Sequence, residues 1–114
     1  MLKIYHNPRC SKSRQTLALI EAAGAQAEQV LYLVDPLSPA DVKDLLAKLG
    51  FTDAQQLMRK GEAIYKELNL KSETDQDVLI EAMSAHPKLI ERPIVVKGNH
   101  AILGRPPENV AKFL

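Results

Sequence analysis

Strand signals in this 114-residue chain are confined to its two ends. Short apolar, β-branched or aromatic runs occupy residues 2–5 (LKIY), 29–34 (QVLYLV), 94–96 (IVV) and 101–103 (AIL), while nothing between residues 38 and 90 resembles a strand. The middle must therefore be helical. Ser38-Pro39-Ala40-Asp41 reads as a helix start, with serine as N-cap and proline at the first helical position, and the pattern predicts a stop at Gly50. Thr52-Asp53-Ala54-Gln55 has capping-box spacing and predicts a second helix. Residues 72–77 offer caps for a third, with Val78, Leu79, Ala82 and Met83 expected on its apolar face.

At the N-terminal end, His6-Asn7-Pro8 closes the first strand, because Pro8 has no N–H to give a ladder. A helix is expected over residues 11–23, burying Leu17, Ile20 and Ala23 and stopping at Gly24. The second strand, expected over 29–34, is closed by Asp35-Pro36, so strand, helix and strand form a βαβ unit with parallel strands. Near the other end, Gly98-Asn99 is a tight hairpin turn between two strands, and Pro106-Pro107-Glu108 opens a final short helix. The order is βαβ, a helical insertion over about residues 38–90, then ββα. It predicts an α/β fold: a mixed four-stranded sheet with helices on its faces, in thioredoxin-like topology. At this length residues 1–114 are expected to form one domain.

Composition narrows the function classes. A net charge of +1 argues against a general nucleic-acid or membrane-surface binder, which would carry a basic excess. No apolar run approaches the roughly 20 residues of a membrane span, and MLKIYHNPRC meets charges and a proline too soon for a signal peptide. A cytoplasmic location is the expectation. No cluster has metal-ligand spacing, so neither a metal nor a bound cofactor is expected. One cysteine excludes a disulfide scaffold and an internal redox pair, so any disulfide of Cys10 is with another molecule.

That cysteine lies in YHNPRCSKSR, between a strand and a helix, among three cations. At a helix N-terminus the unpaired N–H groups of Ser11, Lys12 and Ser13 and the helix dipole favour an anion. A thiol with pKa near 8.5 is only about 3% ionised at pH 7, and a fall of two units makes roughly three quarters of it thiolate. The position therefore favours a reactive cysteine over an inert half-buried one. His6 reads two ways on spacing alone: a structural histidine satisfied by a backbone group, or a cation or donor that lowers the pKa of Cys10. Arg59, Arg92 and Arg105 read either as solvated surface or as planar forks suited to a tetrahedral oxyanion. Arg92-Pro93 precedes the strand IVV, at a bond where the cis form is accessible, and Arg105-Pro106 follows the last strand.

His6-Asn7-Pro8-x-Cys10, followed by Ser13-Arg14 and Thr16-Leu17, resembles the active-site segment of the glutaredoxin-dependent arsenate reductases. Leu57-Met58-Arg59-Lys60, Arg92-Pro93-Ile94-Val95-Val96 and Leu103-Gly104-Arg105-Pro106 resemble three further segments of that family, in order, across nearly the whole chain. The resemblance implies a thioredoxin-like fold with a helical insertion and Cys10 as nucleophile. It implies that Arg59, Arg92 and Arg105 surround the oxyanion and that His6 lowers the pKa of Cys10. It also implies a cycle in which the thiolate attacks arsenate, glutathione joins the adduct as co-substrate, and glutaredoxin removes the glutathione to leave arsenite. Ser11-Lys12 replaces the Gly-Thr of better-known members, residues 61–64 differ, and longer members continue past Leu114. Two other readings stand beside it. Spx-type transcription regulators share this architecture, bind RNA polymerase through it and carry CxxC, where this chain has Ser13. A general thiol-transfer protein would act on glutathione mixed disulfides.

Overall fold

The computed structural model describes residues 2–114. They fall into two compact units, one formed by residues 2–35 with Arg92–Leu114 and the other by Pro36–Glu91.

The first unit holds the sheet. Strands β1 (Leu2–Tyr5), β2 (Ala27–Val30), β3 (Ile94–Lys97) and β4 (His100–Leu103) lie in the order β2-β1-β3-β4. β1 runs parallel to β2 and antiparallel to β3, and β3 is antiparallel to β4. This is the mixed, thioredoxin-like sheet that the element order predicts. Gly98 makes the two-residue turn of the β3–β4 hairpin at φ +61°, a left-handed conformation that costs glycine little. Helix α1 (Ser11–Ala22) joins β1 to β2, and a 3₁₀ helix at Pro107–Phe113 ends the unit. Leu2, Ile4, Ile20, Val95 and Val110 form the buried core, with Leu17, Ala25, Ala27, Ile102 and Phe113 packed against it. At roughly 1.5–3 kcal/mol per fully buried aliphatic side chain, this cluster is what holds α1 on the sheet.

Three expectations are corrected in this unit. β2 ends at Val30, and residues 31–34 form a turn, with the N–H groups of Val34 and Asp35 both donating to the Leu31 carbonyl at 2.9 Å. β2 is an edge strand, and among the described residues its only strand neighbour is β1. The pairing stops at Tyr5↔Val30, because beyond it the chain turns at His6-Asn7-Pro8; His6 N–H donates to the Val30 carbonyl at 2.9 Å and closes the ladder. Helix α1 stops at Ala22, one residue short of the expected end. Its buried face carries Ser13, Thr16 and Ile20, whereas Leu17 is half-buried and Ala23 exposed. The stripe is displaced because Ser13 packs on the polar loop before the helix and Thr16 lies against Gly104.

The second unit is helical, with α2 (Pro39–Leu49), α3 (Ala63–Glu67) and α4 (Gln76–Ala85) joined by short 3₁₀ turns. Ser38 caps α2 in a full capping box with Asp41, and Gly50 ends it at φ +74°. Asp53, rather than Thr52, caps the next segment, which is a single 3₁₀ turn, Ala54–Leu57. It is cut short because Met58 bridges Ile90, with Arg59 N–H donating to Leu89 O and Glu91 N–H to Leu57 O, each at 2.7 Å. Asp75 caps α4, whose buried residues are Leu79, Ile80, Ala82 and Met83; Val78 is exposed, contrary to expectation. No helix of the described residues is long and apolar enough to cross a membrane.

Candidate active site

Cys10 is the N-cap of α1, with extended backbone at φ −91° and ψ 123°. Its N–H donates to Asn7 O at 3.0 Å and its carbonyl accepts from Arg14 N–H at 3.0 Å, so a tight loop delivers the sulfur to the first turn of the helix. The loop is held from within. Asn7 Oδ1 accepts from Arg9 N–H at 3.0 Å, and Arg14 Nη1 donates to Pro8 O at 2.9 Å.

Arg105 reaches the same place from the end of β4. Its Nε donates to the Arg92 carbonyl at 2.7 Å and its Nη2 lies 3.7 Å from Cys10 Sγ. Arg92 stands at the entrance to β3, and its Nε is buried without a hydrogen-bond partner among the described residues. Arg92–Pro93 and Arg105–Pro106 are both cis. The route of the chain here depends on Gly104, whose N–H donates to Pro93 O at 2.9 Å. A Cβ at that position would sit 2.5 Å from Thr16 Oγ1 and 2.7 Å from Pro93 Cγ. Only glycine lets the last strand pass that close to α1.

Burial pushes the Cys10 thiol up. The Ser13 N–H, the Arg92 guanidinium and the Lys12 N–H push it down, and the net pKa lies below the ordinary thiol value. Cys10 accepts no strict capping hydrogen bond at its side chain. The amides therefore act on the sulfur as the dipoles of a helix N-terminus.

His6 is buried, and its Nδ1 lies 2.6 Å from Ser13 Oγ, which also accepts from Asn7 N–H at 3.1 Å. Burial, then the charge of Arg14, lower the His6 pKa, so the neutral ring is favoured. The groups that lower the Cys10 pKa are Ser13, Arg92 and Lys12; His6 meets Ser13, on the turn that supplies one of those amides. Arg59 lies in the Pro36–Glu91 unit, where its Nε is 3.4 Å from Glu62 and its Nη1 3.3 Å from Glu91. The structure thus gathers Cys10, Arg92 and Arg105 in one place, holds His6 on the adjoining turn, and pairs Arg59 with two carboxylates. Asn7 and Gly104 position the site without having been singled out from sequence. The available signals were an Asn before Pro in a loop and a Gly directly preceding Arg105-Pro106.

Comparison with known proteins shows which chains this one is similar to. The model of the ArsC family matches residues 5–113. The uncharacterised protein YfgD of Escherichia coli K12 is 53% identical over 114 residues, covering 99% of this chain and 96% of that one. An arsenate reductase of Neisseria meningitidis is 46% identical, covering 99% and 97%. A solved structure, an arsenate reductase from Vibrio cholerae, superposes with a TM-score of 0.96 at 49% identity, covering 99% of this chain and 97% of that one.

Proposed function

The chain belongs to the ArsC family, and from that premise we propose that it is an arsenate reductase in which Cys10 is the nucleophile and glutathione with glutaredoxin supplies the electrons. The observation that carries this reading is the convergence on one sulfur of a helix N-terminus, Arg105 at 3.7 Å and the Arg92 guanidinium. A thiolate so held is a nucleophile, and the same donors are complementary to a tetrahedral oxyanion. The buried Arg92 Nε adds a donor that such an anion can satisfy; leaving it unmet costs on the order of 1–3 kcal/mol.

The Cys10 thiolate attacks arsenic, forming S–As and releasing one arsenate oxygen as water. A glutathione thiol displaces a second oxygen, also as water, and gives an As(V) centre carrying both sulfurs. A glutaredoxin thiolate then attacks the glutathione sulfur. The S–As bond to glutathione breaks, its electron pair reduces As(V) to As(III), and glutaredoxin leaves as a mixed disulfide with glutathione. Water finally displaces arsenous acid from Cys10 and restores the thiol. One arsenate and two external thiols yield one arsenous acid, one disulfide and one water. Through these steps Arg92 and Arg105 hold the oxyanion and His6 orients Ser13 beneath the thiolate; a part for Arg59 rests on the family resemblance alone. The lone cysteine supports external thiols, because no second one can resolve the adduct internally. We infer a cytoplasmic location from the same need, since glutathione keeps thiols reduced there.

The test is arsenate-dependent NADPH oxidation, coupled through glutathione reductase with glutathione and glutaredoxin present. The reading expects oxidation that needs both arsenate and the chain. Oxidation at background rate when arsenate is added would refute it.

A further inference from the structure

The turn at residues 31–34 presents Leu31, Leu33 and Val34 at 37%, 38% and 74% exposure, three of the seven exposed large hydrophobics among the described residues. Turns are ordinarily built from Gly, Pro, Asn, Asp and Ser, so nothing in the turn geometry calls for apolar side chains here. Clustered exposed apolar residues mark binding surfaces more often than scattered ones do. With His6, Asn7, Pro8 and Arg9 these three line a groove of about 320 Å³. One of its walls is therefore the loop that ends at Cys10.

The fringe of this groove is cationic. Arg9 lines it, and Arg14, exposed on the first turn of α1, donates to the carbonyl of Pro8, another lining residue. Neither is ion-paired with a carboxylate among the described residues. We propose that the groove is the docking surface for the thiol protein that regenerates Cys10: a small redoxin that presents its reactive thiol among apolar side chains and carboxylates. The proposal rests on the function argued above and concerns its electron-transfer step, in which the partner's thiolate takes glutathione's sulfur and arsenic takes the electron pair. The occupant is a protein because an apolar patch with a charged rim is the composition of a protein interface. Unpaired cations on that rim attract an acidic partner and orient it on encounter.

The test uses Val34→Asp, a change at a 74%-exposed position outside the sheet and the Cys10 loop. With arsenate and glutathione saturating, KM for a dithiol glutaredoxin should rise at least tenfold, while kcat at saturating glutaredoxin and KM for arsenate stay unchanged. Arg9→Gln should flatten the salt dependence of the same KM. A glutaredoxin KM within twofold of wild type in both variants would overturn the proposal. A second readout is independent of arsenate chemistry: NMR titration with a glutaredoxin whose reactive cysteine is replaced by serine. Shifts centred on Arg9, Leu31, Leu33 and Val34 support docking here, and shifts confined elsewhere overturn it, whether or not arsenate is turned over. Sedimentation of the chain alone covers the other occupant. A concentration-dependent dimer abolished by Val34→Asp would assign the groove to a second copy and overturn the proposal.

Discussion

The terminal nitrogen Nη2 of Arg105 lies 3.7 Å from the sulfur of Cys10, although the two residues are 95 positions apart in sequence. The same guanidinium donates from Nε to the Arg92 carbonyl at 2.7 Å, so its plane is fixed by the backbone of the neighbouring arginine. Arg105→Lys keeps the charge and loses both the fork and that anchor. The expected result is at least a tenfold fall in kcat/KM for arsenate, about 1.4 kcal/mol, with the far-ultraviolet spectrum unchanged. Unchanged kinetics would show that charge alone suffices there.

Cys10 should react at a pH where an ordinary thiol does not. The Ser13 and Lys12 amides and Arg92 outweigh burial, so its pKa is lowered, and the midpoint of iodoacetamide alkylation against pH should fall below about 8.5, the ordinary value. A midpoint at or above that value contradicts the electrostatics. Phosphate, which meets the same donors, should slow this alkylation in proportion to its occupancy.

Two groups give the pH dependence of stability one sign. The folded chain favours the deprotonated forms of Cys10 and His6, both with lowered pKa values. Each contribution is fully present above the unfolded pKa and is lost as pH falls through the folded one, because the unfolded chain then binds more protons. For His6 that loss begins below about 6.5. Urea midpoints measured at pH 7.5 and 5.5 should differ more for the wild type than for His6→Gln. An equal drop in both would show that His6 titrates as an exposed histidine does.

Ser13 is a keystone of the loop. Ser13→Ala removes the acceptor for Asn7 N–H and the partner of His6 Nδ1, both buried. The expected loss is about 1–3 kcal/mol of unfolding free energy, the typical cost of leaving a buried polar group unmet. The pH midpoint for alkylation of Cys10 should also rise as the turn that supplies the Ser13 amide loosens. A variant as stable as the wild type would mean that the loop re-satisfies itself.

Gly104→Ala places a methyl group 2.5 Å from Thr16 Oγ1 and 2.7 Å from Pro93 Cγ. Overpacking of this kind costs typically 1–3 kcal/mol. Because the residue displaced would be the one before Arg105, kcat/KM for arsenate should fall along with stability. Full activity in a destabilised variant would separate the packing of Gly104 from the aim of Arg105.

What the sequence made legible was local. Proline's missing N–H at the end of β1, the Ser38-Pro39 start and Gly50 stop of α2, and the Gly98 turn each follow from the chemistry of one or two residues. Readings that depended on a partner went astray. Residues 31–34 have strand composition but no strand beside them, and Thr52-Asp53 opens a helix that the Met58–Ile90 bridge ends after one turn. The site divides in the same way. Cys10 at a helix N-terminus could be read from the strand–loop–helix order. That His6 meets Ser13 and that Gly104 must be small depend on how α1 lies against the loop and the last strand. Arg59 could be named from its segment, but its pairing with Glu62 and Glu91 could not.

The most direct test of the central claim is to quantify arsenite by speciation after incubating arsenate, glutathione and glutaredoxin with the wild-type chain or with Cys10→Ser. The substitution nearly preserves volume and removes the readily ionised sulfur. The account predicts stoichiometric arsenite with the wild type and none above the enzyme-free control with Cys10→Ser, both proteins remaining folded. Arsenite formed by the serine variant at a rate comparable to the wild type would contradict it.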